Sequence, residues 1–285
     1  FILAIDLHLH TQASDGTWTP AELVRKVQEA DLTAFAVTDH DVTAALAETA
    51  RLVAGTGLTF IPGVEISASY TPDITLHIIG YNINPDHPAL KKVLAFNMAA
   101  WEKSEWDSIA NLAKLGIHVD PERYRYWVSA RHLGGWPLLN ALQEAGHVQG
   151  FDDYFGKYFG KGKPAYVDII FAQPAEVVAA IRQAGGVPVL AHPALYRQDG
   201  AYLYRNPEFQ KEMLAWGIEG LEAFSSSHTP EESAELVQLA EKLGLLITGG
   251  SDCHGDFVGR RLGQPVVADR YLQPLLARMQ EVRMI

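Results

Sequence analysis

The residues with the plainest chemistry are histidines and carboxylates in short, regular groups. Asp6-Leu7-His8-Leu9-His10 alternates polar and apolar side chains. On an extended strand Asp6, His8 and His10 then share one face and the leucines the other. Two imidazoles at that spacing can grip one metal ion, with Asp6 placed to support them. Asp252-Cys253-His254 repeats the spacing and turns Cys253 away. Between these ends lie Asp15, Asp39-His40-Asp41, Glu65, His77 and His192-Pro193. A lone His40 or His77 reads as an ordinary core histidine, so it is the joint pattern that argues for metal. The expected ligands are His8, His10, Asp15, His40, Glu65, His77, His192, Asp252 and His254. Imidazole with carboxylate, and no thiolate, suits Mn, Zn or Fe better than Mg or Ca. Nine ligand side chains exceed what one tetrahedral site uses, so two or three divalent ions are expected, with Glu65 able to bridge two.

For these side chains to meet, the elements between them must gather strand ends. Helix starts are legible: Thr19-Pro20-Ala21-Glu22 sets a cap residue, a first-turn proline and a capping-box glutamate in order. Thr229-Pro230-Glu231-Glu232 repeats that grammar, and Gln173-Pro174 and Asn206-Pro207 are looser versions. Short apolar runs between the helices predict strands near Leu3, Phe35, Phe60, Ile78, Val189, Leu221 and Leu246. Strands alternating with helices indicate parallel β/α units and a closed or nearly closed barrel. Most of the candidate ligands then fall where strands end, as functional residues do in such barrels. Residues 99–165 break the rhythm. That stretch is aromatic-rich, with Trp101, Trp106, Tyr124, Tyr126, Trp127 and Trp136. It is predicted as a mainly helical insertion between strands 4 and 5, capping one mouth of a barrel made from 1–98 and 166–285.

Composition narrows the function. The 285 residues are 48% hydrophobic, with one cysteine and a net charge of -11. A single cysteine excludes an internal disulfide framework or a multi-thiolate zinc site. Nucleic-acid affinity is mostly phosphate neutralisation, so the acidic balance disfavours tight duplex binding. No segment reads as a membrane span or signal peptide, and a cytoplasmic monomer or small homo-oligomer is expected. No GxSxG elbow, GxGxxG or Walker A loop is present.

Six stretches carry a family resemblance: DLHLHTQASDGTWTP at 6–20, AVTDHD at 36–41, IPGVEIS at 61–67, HIIGYNI at 77–83, AHP at 191–193 and GSDCH at 250–254. In them the chain resembles the PHP (polymerase and histidinol phosphatase) family, most closely its stand-alone TrpH-type phosphoesterases. The resemblance implies a distorted seven-stranded α/β barrel with a trinuclear centre at its mouth. One ion would take His8, His10, Glu65 and Asp252, a second Glu65, His77 and His192, and a third Asp15, His40 and His254. Among Mn, Zn and Fe, Mn is the first expectation.

Phosphate-holding candidates are Arg131 and His132 in the insertion, Lys161 and Lys163 at its end, Arg197 after His192, and Arg260-Arg261 after His254. His228, after the sixth strand, is expected to contact substrate or protonate the leaving group. His87, His118 and His147 read as solvated. The chain departs from its relatives at adjacent Arg131-His132, followed by Leu-Gly-Gly-Trp-Pro. Metal-assisted hydrolysis of a phosphate ester is the expected reaction, with Glu65, His228 and Asp252 as the catalytic candidates. A metal-bridging hydroxide beside Glu65 would attack phosphorus directly. The resemblance points to nucleotides: a nucleoside 3',5'-bisphosphate losing its 3'-phosphate, or a short single-stranded RNA trimmed from its 5' end. Trp127 or Trp136 could stack a base, though such residues more often form the insertion's own core. The alternatives are histidinol phosphate or another small phosphate ester, amide or lactone hydrolysis, and a non-catalytic metal-holding module.

Overall fold

The computed structural model describes residues 4–130 and 135–283. Helices begin where the capping grammar places them. In α1 (Pro20–Glu29), the Thr19 side chain accepts from the Glu22 amide, and the Glu22 carboxylate accepts from the Thr19 amide. The Thr229/Glu232 pair repeats this at α9 (Pro230–Leu243). The remaining barrel helices are α2 (Leu46–Val53), α7 (Pro174–Gln183), α8 (Pro207–Trp216) and α10 (Leu272–Arg283).

The seven expected strands are β1 (Ala4–Asp6), β2 (Leu32–Val37), β3 (Thr59–Thr71), β4 (Ile74–Tyr81), β5 (Val187–Leu190), β8 (Gly220–Ser225) and β9 (Leu246–Gly250). An eighth, the two-residue β10 (Val267–Ala268), pairs antiparallel with β1, giving the order β10-β1-β2-β3-β4-β5-β8-β9 among the described residues. A separate hairpin joins β6 (Arg197–Gln198) to β7 (Ala201–Tyr202). Past their named ends β1 and β9 also meet: His8 O accepts from Asp252 N at 2.9 Å and Cys253 O from His10 N at 3.0 Å. The ring therefore closes at the mouth.

One strand departs from the expected parallel order. β4 runs antiparallel to both β3 and β5, because a turn at Pro72-Asp73, rather than a helix, joins it to β3. This reversal explains how His77, near the start of β4, reaches the same mouth as residues near the ends of other strands. It lies opposite Ser67, two residues beyond Glu65.

Two apolar layers sandwich the sheet. Leu23, Val27, Leu46, Val177, Ile181, Phe209 and Leu236 pack the helices onto its outside. Ile5, Leu7, Ala36, Ile61, Ile79 and Val189 line its inside, closed by Leu272 and Leu275 of α10. A third cluster, including Leu112, Tyr124, Leu138, Leu142, Tyr154 and Phe159, belongs to the insertion. That insertion is carried by the 27-residue α3 (Pro88–Lys114), which crosses the expected boundary at 98/99 without a break, then by α4 (Pro121–Ser129), α5 (Pro137–Glu144) and α6 (Phe151–Tyr154). No described helix is long and apolar enough to cross a membrane.

Candidate metal centre

Glu65 is the hub of the mouth. Its side chain is fully buried, and five imidazoles ring it. Oε2 lies 3.0 Å from His8 Nε2, 3.3 Å from His10 Nε2 and 3.2 Å from His40 Nδ1. Oε1 lies 3.0 Å from His77 Nδ1 and 2.9 Å from His192 Nε2. Asp252 Oδ1 adds contacts of 3.1 Å to His10 Nε2 and 3.4 Å to His8 Nε2. Asp15 Oδ1 faces His254 Nε2 at 3.3 Å, while Oδ2 faces His40 Nε2 at 3.9 Å. The structure thus brings together all nine side chains expected from the sequence.

Among the described residues, three groups have ligand atoms within 4.8 Å of one another: His10, Asp15, His40 and His254; His8, His10, Glu65 and Asp252; and His40, Glu65 and His77. The second is the expected set for one ion. The other two add His10 to the Asp15 group and replace His192 by His40 beside His77. The donor chemistry fits divalent cations. Both His10 ring nitrogens and Asp252 Oδ1 are buried without a hydrogen-bond partner. Unsatisfied buried polar atoms are costly, and cations would use these lone pairs. Burial pushes the His10 pKa down to about 4, the neutral form that binds metal. Burial opposes charge on Glu65, yet His8, His40 and His77 hold its carboxyl well below the usual range. Burial also opposes charge on His8, but Glu222 and Glu65 raise its pKa to about 10.

The backbone is strained where it delivers these groups. Asp41, His192 and Asp252 all have positive φ, of 51°, 29° and 53°. Such strain persists only where the surroundings over-determine it, and it clusters at functional sites. Gly250 is needed for close approach, since a Cβ there would lie 2.4 Å from His8 N. Asp6 touches neither imidazole of the pair. Its carboxylate accepts from the amides of Ser251 and Gly263, both at 2.8 Å, and from the His8 amide at 3.4 Å. The side-chain alternation changes phase past β1: Ile5 and Leu7 face the inner cluster and Leu9 the outer.

Sequence reasoning missed two orienting residues. Glu222 Oε1 lies 2.8 Å from His8 Nδ1, and its Oε2 accepts from the His192 amide at 2.7 Å. The Tyr196 hydroxyl accepts from the His77 amide at 2.7 Å and lies 3.1 Å from His192 Nδ1. A lone acid interrupting the apolar run Leu221–Ala223 was the available signal for the first; nothing in the local pattern marks the second.

At the substrate side, Arg260 forms an ion pair with Asp252 and donates to Ser227 Oγ at 3.2 Å. His228 Nδ1 donates to Ala223 O at 3.1 Å, and its Nε2 accepts from the Ala194 amide at 3.4 Å. Both ring nitrogens are thereby assigned, and burial lowers the pKa, so the ring is neutral. Arg197 lies on the β6–β7 hairpin, half-exposed, over the Tyr202 ring at 3.7 Å and 4.0 Å from Glu232. Lys161 pairs with Asp73 on the surface, and Lys163 is exposed. Arg131 and His132 lie outside the described residues. His87 caps α3, and Trp127 donates to Glu144 on the insertion surface. Trp136 packs among Phe151, Tyr154, Phe155 and Phe257. Between mouth and insertion lies a cavity of about 330 Å³, with Asp15, His40 and His77 on one wall and Trp101, Tyr154 and Phe159 on the other.

A family model described as the PHP domain matches residues 6–243. The chain is 33% identical to a 3',5'-nucleoside bisphosphate phosphatase of Chromobacterium violaceum, covering 90% of this chain and 89% of that protein. It is 31% identical to the 5'-3' exoribonuclease Rnm of Escherichia coli, over 93% and 91% of the two. A solved Bifidobacterium adolescentis structure, described as a metal-dependent phosphoesterase, superposes with a TM-score of 0.86 at 29% identity, over 97% and 96%.

Proposed function

The chain belongs to the PHP domain family, and on that premise we propose that it is a metal-dependent phosphoesterase hydrolysing phosphate esters of nucleotides. The observation that carries this reading is the convergence of five imidazoles on buried Glu65, beside the cavity under the insertion. The residues we propose to hold two or three divalent ions are His8, His10, Asp15, His40, Glu65, His77, His192, Asp252 and His254. Mn is the first choice, with Zn or Fe as alternatives. When bound, such ions supply a water acidic enough to attack near neutral pH and neutralise charge on the phosphoryl oxygens.

The chain's own groups do the rest. Glu222 takes the Nδ1 proton of His8, and the Asp252 carbonyl lies 2.8 Å from His254 Nδ1, so in each ring Nε2 is the nitrogen turned to the centre. The Arg260 guanidinium is placed to bind phosphate oxygens with its fixed fork of donors. His228 holds its proton on Nδ1 for Ala223, so Nε2 has none to give a leaving group in this geometry. Its long contact to Ala194 can be exchanged for a substrate hydroxyl, and we assign it that contact. Cys253 offers no nucleophile, because burial pushes its thiol up to about 11. We therefore propose a single displacement with inversion at phosphorus, read from the turnover of a chiral, isotopically labelled phosphate ester.

We propose that residues 1–98 and 166–285 carry the chemistry and that 99–165 choose the substrate. We propose a nucleoside 3',5'-bisphosphate or a short RNA 5' end as the substrate, supported by the names of the two relatives, and a cytoplasmic monomer or small homo-oligomer as the working form. The test is Mn-reconstituted turnover of nucleoside monophosphates, 3',5'-bisphosphates, 5'-phosphorylated RNA and histidinol phosphate, beside esters, lactones and amides. Preference for the nucleotides is expected. Turnover confined to lactones or amides would overturn the phosphoesterase reading, and preference for histidinol phosphate would overturn the substrate.

A further inference from the structure

The chain enters the insertion along α3 and returns to the barrel through 171–173, and one side chain touches both crossings; separate ties run from the Gly135 amide to Asp15 O at 2.9 Å and from Trp136 to Phe257. Asn97 of α3 is fully buried. Its Nδ2 donates to Asp41 Oδ1 and to Ser67 O, each at 2.7 Å, and its Oδ1 accepts from the Ala172 amide at 2.9 Å. Beside it Ser69 Oγ accepts from the Phe171 amide at 2.9 Å, and the Ser69 amide donates to Ala172 O at 3.1 Å. The barrel partners sit next to the metal centre. Asp41 follows His40 and donates its amide to Glu65 O at 2.8 Å, and Ser67 pairs with His77 across β3 and β4.

We propose that Asn97 is a positioning residue that registers the insertion over the metal-binding strands and thereby sets affinity for a nucleotide-sized substrate. The inference rests on the phosphoesterase reading and deepens it. Beyond Asn97 the outbound helix carries Met98 and Trp101 to the cavity wall, and the inbound chain brings Tyr166, Val167 and Ile169 to it. His40 and His77 form the opposite wall. On the α3 side, the distance between the walls therefore depends on the joint at Asn97, while the Gly135–Asp15 bond ties the other side. An amide with donors and acceptor all engaged is strongly directional, and its loss leaves buried groups on both sides of the joint unpaired. The side chain does not reach the cavity, so its effect on substrate passes through the walls.

The test compares wild type, Asn97→Ala and Ser69→Ala on a nucleoside 3',5'-bisphosphate and on p-nitrophenyl phosphate, which is too small to need both walls. For Asn97→Ala, KM for the nucleotide should rise about tenfold, a size seen for residues that couple sites without touching ligand. The kcat for p-nitrophenyl phosphate and the metal content should stay at wild-type values, while hydrogen exchange at the Phe171 and Ala172 amides speeds up. Ser69→Ala should shift KM less, in the same direction. Parallel loss on both substrates, or an unchanged nucleotide KM, would overturn the proposal. If Asn97→Ala fails to fold, Ser69→Ala decides by the same comparison. If the wild type hydrolyses neither ester, the phosphoesterase reading has failed; calorimetric affinity for AMP then judges Asn97, and equal affinity in wild type and variant counts against it.

Discussion

At the barrel mouth polar side chains are buried and point at one another, whereas in the insertion they point outward and apolar contacts hold the fold. Glu65, His8 and His10 are wholly shielded from solvent, with lone pairs converging on shared space. The insertion instead packs Leu138, Leu142 and Tyr154 inside and wears exposed pairs such as Lys103 with Asp107 and Arg125 with Glu122. Exposed pairs of that kind contribute about 0–1 kcal/mol each. Burying charge and orphaned lone pairs is unfavourable, so the mouth draws its order from the strands around it. The insertion draws its own from local packing. On the proposed division of labour, chemistry sits where the scaffold is most constrained, and selectivity where sequence can change at small cost to it.

The largest expected effect strikes the hub. Glu65→Ala should lower metal-supported turnover by at least about 10³-fold, several kcal/mol of transition-state stabilisation. Elemental analysis should show fewer bound ions; undiminished metal and rate would mean that the mouth does not centre on Glu65. Next comes the insertion's core. Leu142→Ala should cost about 2–5 kcal/mol of local stability in chemical denaturation. Metal content and kcat on p-nitrophenyl phosphate should not follow it, and if they fall with it the two regions are not separable. The smallest is the orienting carboxylate: Glu222→Gln should weaken metal binding about 10–100-fold in chelator competition. Equal affinity would show that His8 is aimed by something else.

Much of this was legible from spacing. The i, i+2 pairs and the residues at strand ends named all nine groups that meet at the mouth, and cap residues with first-turn prolines located the starts of α1, α7, α8 and α9. What escaped was whatever depends on neighbours distant in the chain. The direction of β4 follows from a two-residue turn that leaves the apolar pattern unchanged. Asp6 is spaced as a partner of the His8 ring, but its carboxylate turns to backbone amides, those of Ser251, Gly263 and His8 itself. Glu222 looks like an interruption of an apolar strand until β8 is placed beside His8. Trp136 carries the same side chain whether it stacks a base or fills a core; in the fold it packs on Phe151, Phe155 and Phe257 and also lines the cavity, so its sequence could not assign it to one role.

The unbroken run of α3 has a mechanical consequence. A helix of 27 residues with proline only at its first turn is a stiff rod about 40 Å long. Roughly 25 Å of it extends past Asn97, counting about 1.5 Å per residue. Held about a third of the way along, such a rod is a lever arm: a tilt of about 5° at the fulcrum would sweep its far tip through about 2 Å. The cavity-lining residues of this arm, Trp101 to Ser108, would move by about 0.5 to 1.4 Å in the same tilt, so a barely visible change at the joint grows steadily along the roof.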